Sequence, residues 1–130
     1  MQLLLDTHIW IWYGLGDEKL PENMKAAIAE PKNQLWISPI SLWEVLLLAE
    51  KGRIVLKPSP TDWMTNTLKL LDVFEAPLNG AIAILSRQID CPHKDPADRF
   101  IAATAIHYGL TLVTVDRSLA GTSFLRTFNG

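Results

Sequence analysis

Two short apolar runs, each closed by an aspartate, limit what this chain can fold into more than any other feature. Leu3-Leu4-Leu5 ends at Asp6, and Leu110-Thr111-Leu112-Val113-Thr114-Val115 ends at Asp116. The first run has no polar alternation, which suits a strand buried on both faces, the condition of a parallel sheet covered by helices on each side. An acid beside such a run is costly to bury unless it is paired, hydrogen-bonded or bound to a metal. Two further acids share that position. Glu44 is the only polar residue in Leu42-Trp43-Glu44-Val45-Leu46-Leu47-Leu48-Ala49, and Asp98 opens the apolar helical segment that continues through Ile106. Four such sites in 130 residues point to one shared pocket.

The order of elements supports the sheet. Gln2 to Leu5 reads as a strand and Thr7 to Tyr13 as a helix, with Asp6 or Thr7 at its N-terminus. Pro21 suits the first turn of a helix through Glu30, which Pro31 ends. Gln34 to Ile37 is a second strand. Ser38-Pro39 then caps an apolar helix that carries Glu44 and stops at Lys51-Gly52. Ile54 to Leu56 reads as extended, and Thr61 to Leu71 as a helix with Trp63 and Leu70 on its inner face. Val73 to Ala76 is a candidate strand, Asn79 to Gln88 a helix, and Cys91 to Pro96 a loop. A helix from Ala97 to Tyr108 follows, then a strand over Thr111 to Val115 rich in β-branched residues, and an edge strand within Phe124 to Phe128. Strands alternating with helices imply an α/β fold with a mostly parallel central sheet. The chain reads as one domain, 1–130, with no repeat or low-complexity segment.

Composition narrows the class. The apolar fraction of 48% fits a folded globular protein. A single cysteine, Cys91, permits no intrachain disulfide and agrees with a reducing cytoplasm. The N-terminus lacks the basic leader of a signal peptide, and no uncharged apolar stretch approaches the roughly 20 residues of a membrane span. A net charge of −2 argues at first against nucleic acid. With Asp6, Glu44, Asp95, Asp98 and Asp116 set aside as a metal site, nine acids remain against 12 Lys and Arg. The rest of the surface is then mildly basic, and nucleic acid stays open as a partner.

In open parallel sheets ligands bind outside the carboxyl ends of the strands. Asp6 and Asp116 each follow a strand directly, and the helices that carry Glu44 and Asp98 begin at the same edge. Clustered carboxylates repel, which raises some pKa values unless a counterion is bound. Oxygen ligands suit a hard divalent cation, Mg²⁺ or Mn²⁺. Such an ion stabilises charge on a phosphoryl group, so the chemistry most consistent with the pattern is phosphodiester hydrolysis. Zinc fits less well, since His8, His93 and His107 are scattered and Cys91-Pro92-His93 matches no zinc spacing.

Each residue also has an ordinary explanation. Asp6 and Asp98 can serve as helix caps, Asp98 can pair with Arg99, and Asp116 can open a turn. Glu44 can lie on an exposed helix stripe, and Asp95 before Pro96 can be structural. Thr114 is either a hydrogen-bond donor to a site carboxylate or a plain strand residue. Arg99 either orients an acid, meets phosphate or forms a solvated ion pair. Of five tryptophans, Trp36 is expected in the core, and Trp10, Trp12 and Trp43 at a subunit or partner interface. Lys51, Arg53 and Lys57 are candidates for backbone phosphate contact.

Four segments, in order, resemble the signature segments of PIN domains: Leu3-Leu4-Leu5-Asp6-Thr7-His8, Ser41-Leu42-Trp43-Glu44, Asp95-Pro96-Ala97-Asp98-Arg99-Phe100-Ile101-Ala102-Ala103-Thr104-Ala105 and Leu112-Val113-Thr114-Val115-Asp116. Length and phrasing are most similar to VapC-type toxin ribonucleases of toxin–antitoxin pairs. The resemblance implies a three-layer α/β/α fold, Mg²⁺- or Mn²⁺-dependent RNA cleavage, a homodimer, and inhibition by an antitoxin protein. By position it makes Asp6, Glu44, Asp98 and Asp116 the metal-binding and catalytic acids, and places Asp95 behind them or near the substrate. Two other classes stand beside this reading. One is a non-catalytic recognition module of the same fold. The other is a phosphotransfer domain, which wants an acid pair at the first strand where this chain has only Asp6.

Overall fold

The computed structural model describes residues 1–128. Five parallel strands form one sheet in the order β3-β2-β1-β4-β5: β1 Gln2–Leu5, β2 Gln34–Ile37, β3 Phe74–Glu75, β4 Thr111–Val113 and β5 Arg126–Thr127. Six helices intervene: α1 Thr7–Leu15, α2 Glu22–Ala29, α3 Pro39–Glu50, α4 Pro60–Leu71, α5 Gly80–Gln88 and α6 Pro96–Tyr108. A 3-10 turn, Arg117–Gly121, follows β4. Among the described residues, no helix is long and apolar enough to cross a membrane.

Alternate residues of the strands feed two cores. Leu3, Leu5, Leu35, Ile37 and Val113 pack with Trp10, Ile28, Val45 and Met64 from the helices on one face. Leu4 and Leu112 pack with Ile101, Ala102 and Ala105 of α6 on the other. Both faces of β1 are therefore dry, which is why its sequence shows no alternation. The result is the expected three-layer α/β/α arrangement.

Helix starts follow a repeated local device. Ser38, Ser59 and Asp95 each accept a backbone N–H through the side chain, and each precedes a proline at the first helical position. Gly109 ends α6 at φ 66°, and its N–H bonds back to Ala105 and Ile106.

Several expectations need correction. The strands expected over Val73 to Ala76, Thr111 to Val115 and Phe124 to Phe128 shorten to β3, β4 and β5, and Ile54 to Leu56 joins no strand. Phe124 is instead a turn residue at φ 67°. Leu70 is 83% exposed, because the inward stripe of α4 is Trp63, Met64 and Thr67 with Leu68 and Leu71 beside them. Trp10 lies at no interface: it is fully buried, and its indole N–H donates to Thr67 Oγ1 at 3.0 Å. Trp36 is only half-buried and packs against Phe74 and Tyr108 at the sheet margin.

Candidate active site

The sheet turns in opposite directions on either side of β1, since β2 lies on one side and β4 on the other. Such a switch point opens a crevice at the carboxyl ends of the two strands. Asp6 and Asp116 belong to the segments leaving β1 and β4. The Asp6 N–H donates to Val113 O at 3.0 Å, so the sheet pairing carries on to the first acid itself.

Asp6 is held on both oxygens. Oδ1 accepts the Thr7 N–H at 2.8 Å, and Oδ2 accepts the Thr114 hydroxyl at 2.7 Å. The Thr114 hydroxyl in turn accepts the Asp116 N–H at 3.1 Å, so one side chain links two acids. Burial pushes the Asp6 carboxyl above the usual range despite these hydrogen bonds, and the Asp116 charge adds to the rise.

Glu44 sits in the second turn of α3, whose start is fixed by Ser38 and Pro39. The Thr7 hydroxyl donates to Ser41 Oγ at 2.9 Å with both residues fully buried, which ties α1 to α3 just behind Asp6 and Glu44. Glu44 Oε1 is buried with no hydrogen-bond partner among the described residues. Burial raises its pKa, the nearby Thr7 hydroxyl opposes the rise, and the charges of Asp6 and Asp95 add to it.

Asp98 stands in the first turn of α6. Its carboxyl is pushed up to about 7, first by burial and then by the charges of Asp6, Asp95 and Glu44. Glu44, Asp95 and Asp98 each present an oxygen within 4.8 Å of the other two. Asp95 also caps α6, accepting the Ala97 N–H at 2.9 Å. Asp116 differs from the others. Burial acts upward on it, but the hydroxyl and N–H of Ser118 and the neighbouring His93 hold it below the usual carboxylate range.

Arg99 departs from expectation. It neither pairs with Asp98 nor reaches the pocket. Its side chain is buried and donates to four backbone carbonyls: Ser86, Ile89, Cys91 and His93, at 2.8–2.9 Å. Four backbone acceptors satisfy the guanidinium, so it fastens the loop after α5 to α6.

Sequence reasoning passed over three participants. Ser41 lies three residues before Glu44 on the same helix face, a spacing that could have flagged it. Ser118 and His93 gave no such signal. His93 Nδ1 lies 3.5 Å from Asp98 Oδ2, and Nε2 contacts Asp116 Oδ2. His8 is exposed but close enough for its charge to act on Asp6 and Glu44.

The PIN domain family profile matches residues 3–125. The chain belongs to the PIN domain family. Among curated proteins it is 33% identical over 117 residues to Ribonuclease VapC22 of Mycobacterium tuberculosis, across 90% of this chain and 88% of that protein. Among solved structures, a chain of a toxin–antitoxin complex from Klebsiella pneumoniae is 26% identical with a TM-score of 0.64, covering 96% of each chain. A chain of VapBC2 from Rickettsia felis, solved with a promoter DNA fragment, reaches a TM-score of 0.74 at 18% identity, covering 100% of this chain and 99% of its own. The last likeness is one of fold. The crevice described above thus lies within the matched PIN domain.

An oxygen-rich pocket of this kind fits a hard divalent cation. The donors are carboxylates, three of them are raised in pKa by burial and mutual repulsion, and one buried oxygen has no other partner.

Proposed function

We propose that this protein is a Mg²⁺- or Mn²⁺-dependent endoribonuclease, the toxin of a type II toxin–antitoxin pair. In this reading it acts in the cytoplasm as a homodimer and is restrained by a cognate antitoxin protein. The observation that carries the reading is the meeting of Glu44, Asp95 and Asp98 oxygens within 4.8 Å of one another, with Asp6 near enough for its charge to act on Glu44 and Asp98, and Asp116 near enough to act on Asp6. The kinship with Ribonuclease VapC22 supports RNA as the substrate, and the kinship with a toxin–antitoxin complex supports the partner.

Asp6, Glu44, Asp98 and Asp116 would hold the ion, with Asp95 at the rim. A bound divalent cation would supply Lewis acidity toward the scissile phosphodiester and neutralise charge that develops on it. The chain's own residues prepare the place. Thr7 N–H and the Thr114 hydroxyl fix the direction of the Asp6 carboxylate. Ser118 and His93 fix Asp116 and favour its ionised form. Preorganised carboxylates avoid reorganisation when the phosphate arrives, which is where such sites gain most. The reading as a non-catalytic recognition module is not favoured, since Glu44 lies mid-helix where it caps nothing, with one oxygen buried and unpartnered.

The test is cleavage of a mixed RNA pool by antitoxin-free protein with Mg²⁺, with EDTA, and with Asp6→Asn. The variant should keep its circular dichroism spectrum and lose about 10³-fold in rate, the equivalent of some 4 kcal/mol of transition-state stabilisation. Full activity in Asp6→Asn would remove the metal-site assignment.

A further inference from the structure

We propose that His93 is a positioning residue, a strut that sets the separation of Asp98 and Asp116 before the ion arrives, and that Arg99 acts through it. The inference rests on the metal-dependent reading above. Asp98 belongs to α6 and Asp116 to the segment after β4, so nothing in the sheet pairing fixes one against the other. Among the described residues, His93 is the side chain that touches both carboxylates, through Nδ1 to Asp98 Oδ2 and Nε2 to Asp116 Oδ2. Ser118 Oγ also meets Nε2, at 2.9 Å, and donates to the other oxygen of Asp116 at 2.6 Å.

Among the described residues, two other side-chain links join elements at the pocket. Thr7 with Ser41 joins α1 to α3, and Thr114 joins Asp6 to Asp116. Neither reaches Asp98. Without His93 the acid of α6 would have no side-chain tie to the acid beyond β4.

A strut works only if its base is fixed. His93 lies in the loop between α5 and α6, whose backbone has no sheet or helix bonds to hold it. Arg99 supplies the anchorage, since Nη1 donates to the carbonyl of His93 itself at 2.9 Å and to that of Cys91 at 2.8 Å, while Nη2 holds Ile89. Asp90 ties the same loop to the segment after β4 by accepting both the N–H and the hydroxyl of Ser123 at 2.9 Å. The ring is thus gripped from its backbone on one side and from two carboxylates on the other. Nε2 is engaged by Asp116 and Ser118 and Nδ1 faces Asp98 at 3.5 Å, so in this proposal the residue orients ligands and is not one itself. Outer partners that orient metal ligands in this way are worth 10–100-fold in metal affinity.

The experiment is Mn²⁺ binding by calorimetry and by electron paramagnetic resonance on the full chain, with circular dichroism to confirm folding. His93→Ala should bind Mn²⁺ about 10–100-fold more weakly. His93→Gln, which keeps one amide donor, should recover part of that loss. Arg99→Lys keeps the charge but loses the planar fork. It should weaken Mn²⁺ binding in the wild-type background and add little in the His93→Ala background, as coupled residues do. Unchanged Mn²⁺ affinity in folded His93→Ala would overturn the proposal. So would a directly coordinated nitrogen in the Mn²⁺ spectrum, which would make His93 a ligand. Additive losses in the double variant would overturn the part given to Arg99. Wild-type protein that binds Mn²⁺ yet cuts no RNA would defeat the nuclease reading and leave the strut standing. Wild-type protein that binds no Mn²⁺ would remove both.

Discussion

Asp98 and Arg99 are neighbours in the first turn of α6, yet they face opposite situations. The Arg99 guanidinium is buried, and four carbonyls on the preceding helix and loop satisfy it. The Asp98 carboxyl turns the other way, toward Asp6, Glu44 and Asp95, and is destabilised as an ion by all three. One side of the turn spends its charge on holding the fold. The other keeps charge in a state that a cation would relieve. A buried charge whose partners are all internal reads as architecture, whereas one surrounded by its own sign reads as a place for a ligand.

The largest effect on stability is expected on the satisfied side. Arg99→Met removes a donor set from four buried or half-buried carbonyls, and should cost about 3 kcal/mol or more in urea unfolding. A loss below about 1 kcal/mol would mean that solvent replaces those bonds and that the clamp is dispensable.

The opposite sign is expected one residue earlier. Because the folded-state pKa of Asp98 is about 7 against an ordinary value of 3.8, the folded protein retains a proton that the unfolded chain has released between those pH values. Stability of the metal-free protein should therefore fall as pH rises from about 4 to about 7 and level off above. Asp98→Asn should flatten that slope and raise metal-free stability at pH 7.5 by about 1 kcal/mol, solvent screening at a half-buried site keeping the gain small. The same variant should lose RNA cleavage. Thermal melts in EDTA across this pH range would show it, and a variant less stable than wild type at pH 7.5 would contradict the repulsion.

The smallest expected change falls on a residue between the two extremes. Thr114→Val keeps the β-branched shape just beyond β4 and removes the hydroxyl that donates to Asp6 and accepts from Asp116. Metal-free stability should drop by about 1 kcal/mol. Cleavage should fall roughly tenfold, as for the loss of an outer partner of a metal ligand. A silent Thr114→Val would leave it as a plain β-branched residue after β4.

The strand cores and the helix caps were legible because they are local. Leu3-Leu4-Leu5 states burial on both faces, and Ser38-Pro39 and Asp95-Pro96 state a helix start within two residues. The same locality exposed the acids, since each stands out against apolar neighbours. It misled where a side chain's fate depends on distant packing. Trp10 looked available for an interface but fills the core, and Leu70 looked inward but lies on the exposed face of its helix.

By itself, then, the sequence determined the parallel sheet, the order of its helices and the acids that close its strands, because hydrophobic period and capping act over a few residues. Only the tertiary structure decided that Arg99 faces carbonyls while Asp98 faces acids, since neighbours on a helix point about 100° apart and different partners wait on each side. It alone brought His93 and Ser118, 25 residues apart, to the same carboxylate. Such meetings depend on where the loop after α5 crosses the end of β4, and no local pattern encodes that crossing.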